Sequence, residues 1–190
     1  MTQPYHNEFC DLQNTFKQSS HEVKHLLDSL SEEYINKKLA PGKWSVAECI
    51  RHLILTGKYV TIEIDKSITN GIKRNKMGNP PFKYGWFNRY FIRYMKHKSH
   101  FTMAAPKLYK PDLHSYYDKS VLVTSYLDLQ EQYCRLLEKA DGLDLKRVKV
   151  RSPVIPVMRL SLGACFHAMA AHQERHIDQA KRTNRNLWSK

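Results

Sequence analysis

The stretch Ser161-Leu-Gly-Ala-Cys-Phe-His-Ala-Met-Ala-Ala-His172-Gln-Glu-Arg-His176-Ile-Asp-Gln-Ala-Lys-Arg182 decides how the chain reads. It predicts one helix, with Ser161 as its N-cap and Lys181 and Arg182 as a basic last turn. Leu162, Phe166, Met169, Ile177 and Ala180 recur at about helical spacing, which turns one side toward a core. His172 and His176 stand one turn apart, so both imidazoles leave the same face and can close on a single metal ion. Neutral imidazole is a common ligand for zinc, nickel and iron. The pair reads equally as two solvated surface histidines, and a third ligand elsewhere in the chain is what would separate the two readings.

Working outward from that helix, residues 5–30 carry Phe9, Leu12, Phe16, Val23, Leu26, Leu27 and Leu30 at helical intervals. A short helical piece follows Ser31, and Leu39-Ala-Pro41-Gly42 marks a turn. Next, Ser45 with Glu48 three residues on forms a capping box, and Trp44 before it is placed to pack as a staple. A long helix is expected over residues 46–70, with Gly71 as its stop and Ile50, Leu53, Gly57, Val60, Ile64 and Ile68 as its inner stripe. His52 lies one turn after Glu48 and borders that stripe. Alone it would be an ordinary partly buried side chain.

Residues 71–84 read as a loop and residues 85–98 as a short, aromatic-rich amphipathic helix. That helix could cap the bundle over a pocket, or rest on a membrane surface through Trp86, Phe87, Phe91 and its basic residues. Its shortness and mid-chain position favour the cap. Residues 99–119 carry Pro106 and Pro111 without a period and form an irregular crossover. A third long helix starts near Ser120, places Leu122, Tyr126, Leu129, Tyr133, Leu136 and Leu137 inward, and ends at Gly142. Pro153 and Pro156 exclude a continuous helix from the link 143–160. The expected fold is all-α: a single-domain four-helix bundle with its core over about residues 9–182, and a long irregular crossover between its second and third main helices. Bundles hold small-molecule and metal sites between facing helices, so His52 can meet His172 and His176.

Composition agrees with a globular chain. Of 190 residues, 42% are hydrophobic, and no apolar run approaches the ~20 residues that a membrane-spanning helix needs. The N-terminal residues lack a basic region followed by an apolar run, which argues against a secretory leader. Cys10, Cys49, Cys134 and Cys165 are scattered singly, as reduced cysteines of a cytoplasmic protein would be. Lysine and arginine total 31 against 18 aspartate and glutamate, a net +13. Nucleic acid or an anionic membrane could answer that charge. Its densest clusters, residues 73–76 and Lys146-Arg-Val-Lys-Val-Arg151, are short, however, and a solvated basic surface is the simpler reading. At most weak, sequence-independent DNA binding is expected, and no specific nucleic-acid partner.

Two motifs carry a family resemblance. Gly42-Lys-Trp-Ser-Val-Ala-Glu-Cys-Ile-Arg-His52-Leu resembles the W-S-x-x-E-x-x-x-H-L segment of the DinB-like superfamily. Ser161-Leu-Gly, with His172-Gln-Glu-Arg-His176-Ile-Asp-Gln179, resembles that superfamily's closing helix and its H-x-x-R-H-x-x-Q pattern. These are four-helix bundles that include YfiT-type metal-dependent hydrolases and thiol S-transferases. The likeness spans residues 9–182, apart from 71–119. It implies a three-histidine site for a divalent metal, zinc or nickel, with an open position; residue by residue this falls on His52, His172 and His176. Some relatives transfer low-molecular-weight thiols such as bacillithiol or mycothiol, so a thiol co-substrate is implied as well, while many have no known activity.

Three ligands and an open position suit catalysis, because a metal so held activates water or a thiol. Hydrolysis also asks for a base. Glu48 is the candidate by face, though it serves equally as the capping-box partner of Ser45. Arg175 could bind an anionic substrate group or make a surface ion pair, and Gln179 could contact a ligand histidine from behind. The functional expectation is a metal-dependent transferase or hydrolase acting on a small molecule. The alternatives are a non-catalytic metal- or ligand-binding bundle and, behind that, charge-driven association with nucleic acid. A homodimer is an open option. One divalent ion per chain is expected, with occupancy falling below the ordinary histidine pKa of ~6.5. His167 should be uninvolved, since five residues before His172 its side chain points about 140° away.

Overall fold

The computed structural model describes residues 7–96, 106–152 and 157–188. It contains α1 (Asn7–Asp28), α2 (Glu32–Asn36), α3 (Val46–Lys73), α4 (Trp86–Lys96), α5 (Lys119–Lys139) and α6 (Leu162–Trp188). A two-stranded antiparallel hairpin, β1 (Lys149–Arg151) with β2 (Arg159–Ser161), precedes α6. The four long helices are α1, α3, α5 and α6, and every residue of the stripes expected on α3, α5 and α6 is buried. The all-α bundle read from the sequence is the observed architecture.

Side-chain contacts fix the helix directions. Gln13 reaches Glu138 and Ser19 reaches Gln130, so α1 and α5 are antiparallel. Ser19 also reaches Gln173, and Lys181 pairs with Glu22, so α1 and α6 run together. Thr61 meets Gln132 and Lys139 meets Asp65, which makes α3 parallel to α5. Trp44 stacks on His176 and His52 meets His172 edge-on, which makes α3 antiparallel to α6. Two successive long helices pointing the same way need a connection that travels back along the bundle. Residues 74–118 are that crossover. On the way, α4 seats Phe91 and Met95 against the core beside α6.

Helix ends follow local chemistry. The Ser45–Glu48 capping box is complete, and Asp118 caps α5 by accepting from the Val121 N–H. Gly42 and Gly142 occupy turns at φ +74° and +77°, conformations that favour glycine.

Several expectations need correction. Gly71 does not stop α3, which continues to Lys73. Glycine is needed there for space, since a Cβ would sit 2.9 Å from Val148 Cγ2. Ser161 is not the N-cap of α6: it ends β2, and its hydroxyl has no hydrogen-bond partner among the described residues. The first helical N–H groups donate to the carbonyls of Val148 and Leu145 instead. Nor are Lys181 and Arg182 the last turn, because α6 runs on to Trp188. The link 143–160 is not wholly irregular, because it holds the hairpin. Pro153 and Pro156, the leader reading over residues 1–6, and the ends of the segments read at 97–105 lie outside the described residues.

The core has a sharp weak point. Phe16 is fully buried and stacks on Tyr133 with ring centroids 4.6 Å apart. Phe16→Ala should cost about 3–5 kcal/mol of unfolding free energy in a denaturant titration. Val121→Ala, on the exposed side of α5, should stay within about 0.5 kcal/mol of wild type.

Candidate metal centre

The turn at Pro41-Gly42 and the capping box set the phase in which α3 begins, and His52 follows one turn after Glu48 on the buried side. Because α6 passes antiparallel to α3 at this level, its i, i+4 pair faces His52. The three rings lie in mutual contact, with centroid separations of 4.5 Å (His52–His176), 4.6 Å (His172–His176) and 5.1 Å (His52–His172). One ring nitrogen from each comes within 4.8 Å of those of the other two. All three residues are buried.

Tyr109, in a short 3₁₀ turn of the crossover, determines the state of His52. Its carbonyl oxygen is 2.7 Å from His52 Nδ1. A carbonyl can only accept, so Nδ1 carries the proton and Nε2 of the neutral ring presents a lone pair. That lone pair faces His172 Nε2 at 3.2 Å. Two zinc ligands at about 2.0–2.1 Å in tetrahedral array are about 3.3 Å apart, so this spacing suits a shared ion. Nδ1 of His172 and Nδ1 of His176 have no hydrogen-bond partner among the described residues. The donor set, three imidazoles without a carboxylate among them, is one that zinc or nickel accepts. The residues present therefore fit a divalent metal.

Electrostatics agree with neutral rings. Burial lowers the pKa of His172 well below the ordinary value, assisted by His176, His52 and Arg175. Burial, His52 and Arg175 lower His176 to about 3, with the Gln179 side chain acting in the opposite sense. Burial also lowers His52, against the Tyr109 carbonyl. The expectation that protons compete for the site below ~6.5 is thus displaced toward more acidic pH.

Around the trio, the structure places the other singled-out residues as follows. Trp44 lies over His52 and His176 at 5.0 and 6.0 Å, covering the rings rather than merely stapling the helix start. Glu48 is buried and committed: one carboxylate oxygen accepts from Ser45 N–H at 2.8 Å, and the other is 2.9 Å from Lys38 Nζ. Half-buried Arg175 is close enough for its charge to act on all three imidazoles. Gln179 touches His176 from the next turn. Glu174 is exposed, 3.5 Å from Lys96, and Asp178 is exposed too. His167 is turned away to Glu8, at 2.9 Å. Sequence reasoning missed the Tyr109 carbonyl and the Lys38–Glu48 pair; only Trp44, adjacent to the cap, carried a signal that could have shown its place over the rings.

A pH dependence follows. Groups whose pKa is lower folded than unfolded bind more protons in the unfolded chain, so stability falls as pH drops through the unfolded value. Metal-free protein should lose stability from pH 6.5 downward toward the His176 value of about 3. Each fully buried imidazole contributes up to about 1.4 kcal/mol per pH unit. Thermal melts in chelator just below neutrality, above the range where carboxylates titrate, should show this slope, and His176→Gln should flatten it.

Comparison with known proteins places the chain. No curated protein and no solved structure matches it. A family model described as the DinB superfamily matches residues 15–180 and so takes in α3 and α5 whole and most of α1 and α6, with all three histidines. On that match, over most of its length, the chain belongs to the DinB superfamily.

Proposed function

We propose that the protein is a metal-dependent enzyme, a thiol S-transferase or hydrolase acting on a small molecule, with zinc or nickel held by His52, His172 and His176. The observation that carries the reading is the convergence of three buried, neutral imidazoles, one with its lone pair fixed by the Tyr109 carbonyl. A divalent ion bound there supplies Lewis acidity, which activates water or a thiol.

The chain's own residues supply the rest. Tyr109 orients His52 by holding its Nδ1 proton. Trp44 shields the faces of two rings. Gln179, beside His176 on the same helix, adds a polar contact to that ring. Glu48, held by Ser45 and Lys38, secures the helix entry that aims His52, so its role is positioning rather than proton abstraction. Arg175 leaves positive charge beside a site that has no acidic ligand. That charge favours an anionic group, a thiolate or carboxylate, on the substrate.

Metal analysis of the purified protein tests the centre directly. Wild type should carry about one divalent ion per chain, and His52→Ala, His172→Ala or His176→Ala should each cut this at least about tenfold. His167→Ala should retain it. If His167→Ala empties the site and His176→Ala does not, the assignment is wrong.

Turnover is tested by screening metal-loaded protein for transfer of low-molecular-weight thiols to electrophiles and for hydrolysis. In whichever reaction responds, Arg175→Gln should keep the metal and raise KM about tenfold or more, with kcat little changed. Full metal occupancy without turnover across both screens would favour a metal-holding bundle instead.

A further inference from the structure

Beside the N-terminal half of α6, from the Asn88–Ser161 contact to the Lys96–Glu174 pair, exposed aromatic and basic side chains gather without forming any part of the site. Helix α4 presents Trp86, Arg89, Tyr90 and Arg93 to solvent at spacings that put them on one stripe. Trp86 is 77% exposed and Tyr90 63%, with Phe87 beside them. The buried face of the same helix, Phe91 and Met95, is already engaged by the core. The outer stripe is left exposed.

The hairpin adjoins the first turn of α4. Asn88 of α4 accepts from the Ser161 N–H, and Ser161 pairs with Lys149 in the ladder. Two residues along, Arg151 and Arg159 are directly opposed, both exposed. Like charges in that position repel, and burial, with the charges of Lys76 and Lys146 adding to it, lowers the pKa of Lys149. The Asp144 charge acts on Lys149 in the opposite sense, and the pKa is still lowered. Asp144 accepts from the backbone N–H groups of Lys146 and Arg147, and Glu8 is taken by Tyr84 and His167. Beyond Arg159, Val157 stands 93% exposed near the hairpin tip.

The geometry points to an anionic lipid bilayer as the partner of this end: Trp86, Phe87, Tyr90 and Val157 enter the headgroup region, and Lys149, Arg151 and Arg159 face the lipid charges. Tryptophan and tyrosine favour that interface, and basic residues beside them add affinity for anionic lipid. A nucleic acid would answer the cations and could stack on the aromatic rings, but it would leave Val157 with nothing apolar to enter. No helix among the described residues is long and apolar enough to cross a membrane, so the contact is peripheral. The inner face of α4 packs on the core through Phe91 and Met95, and on this proposal its outer face meets the membrane.

Sedimentation of the full chain with vesicles tests this. Binding to phosphatidylcholine containing about one-third phosphatidylserine should exceed binding to pure phosphatidylcholine by at least about tenfold. Lys149→Gln/Arg151→Gln/Arg159→Gln should weaken it on the order of 100-fold, from about fivefold per cation. Trp86→Ser/Tyr90→Ser should weaken it about tenfold or more. All these positions are exposed, so circular dichroism and metal content should match wild type in both variants. The proposal fails if the two vesicle types bind alike, if neither binds, or if either variant binds as wild type does. It fails equally if duplex DNA displaces the vesicles, or if Trp86→Ser/Tyr90→Ser abolishes a dimer in a protein that ignores vesicles, which would assign the face to a second copy.

Discussion

Three imidazoles pressed together in a dehydrated interior are the constraint around which the rest is arranged. Each must stay neutral, because burial and the neighbouring Arg175 charge oppose protonation. Keeping them there demands an exact phase between α3 and α6, since a rotation of one residue, about 100°, would carry His52 off the shared face. The capping box at Ser45 and Glu48 sets that phase at the start of α3. Val46, Ile50 and Leu53, packed with Ile177 and Ala180 in one apolar cluster, hold it at the level of the site. Lys38 on Glu48 is therefore part of the same device, since it steadies the carboxylate that completes the cap.

Much of the fold was legible because its information is periodic. Stripes such as Leu122, Tyr126, Leu129, Tyr133 and Leu136 repeat over several turns, and no other structure buries that pattern on one side. The hairpin was not legible for the opposite reason. Each strand has three residues, with burial patterns too short to establish a period of two. Ser161 and Gly71 misled for a related reason: both types carry strong local preferences, and tertiary contacts overrode them. The α6 start takes its hydrogen bonds from the Val148 and Leu145 carbonyls, and Gly71 makes room for Val148.

The candidate site divides in the same way. His172 and His176 could be read directly from their spacing, and His52 from the bundle that had to place it opposite. Tyr109 could not, because it acts through its backbone carbonyl, which every residue possesses and no side-chain pattern marks. The charge of the chain was visible as a total, but its placement was not. Arg151 and Arg159 become neighbours only through the hairpin register, and Lys76 joins them only because Asp144 N–H donates to its carbonyl.

The parallel run of α3 and α5 ties these features together. With those two helices aligned, the chain has to return along the bundle between them, and that return carries two separate elements. One is α4, whose inner face fills the core beside α6 while its outer face stays exposed. The other is the turn that delivers the Tyr109 carbonyl to His52. A direct up-and-down connection would need only a few residues and would supply neither. Tyr59 packs edge-on against the Tyr109 ring at 5.5 Å, so the returning turn is clamped to α3 as well as bonded to His52. The orientation of one imidazole thus depends on a segment far from it in sequence, and a displacement of that turn would take away both the acceptor of the His52 Nδ1 proton and the ring contact with Tyr59.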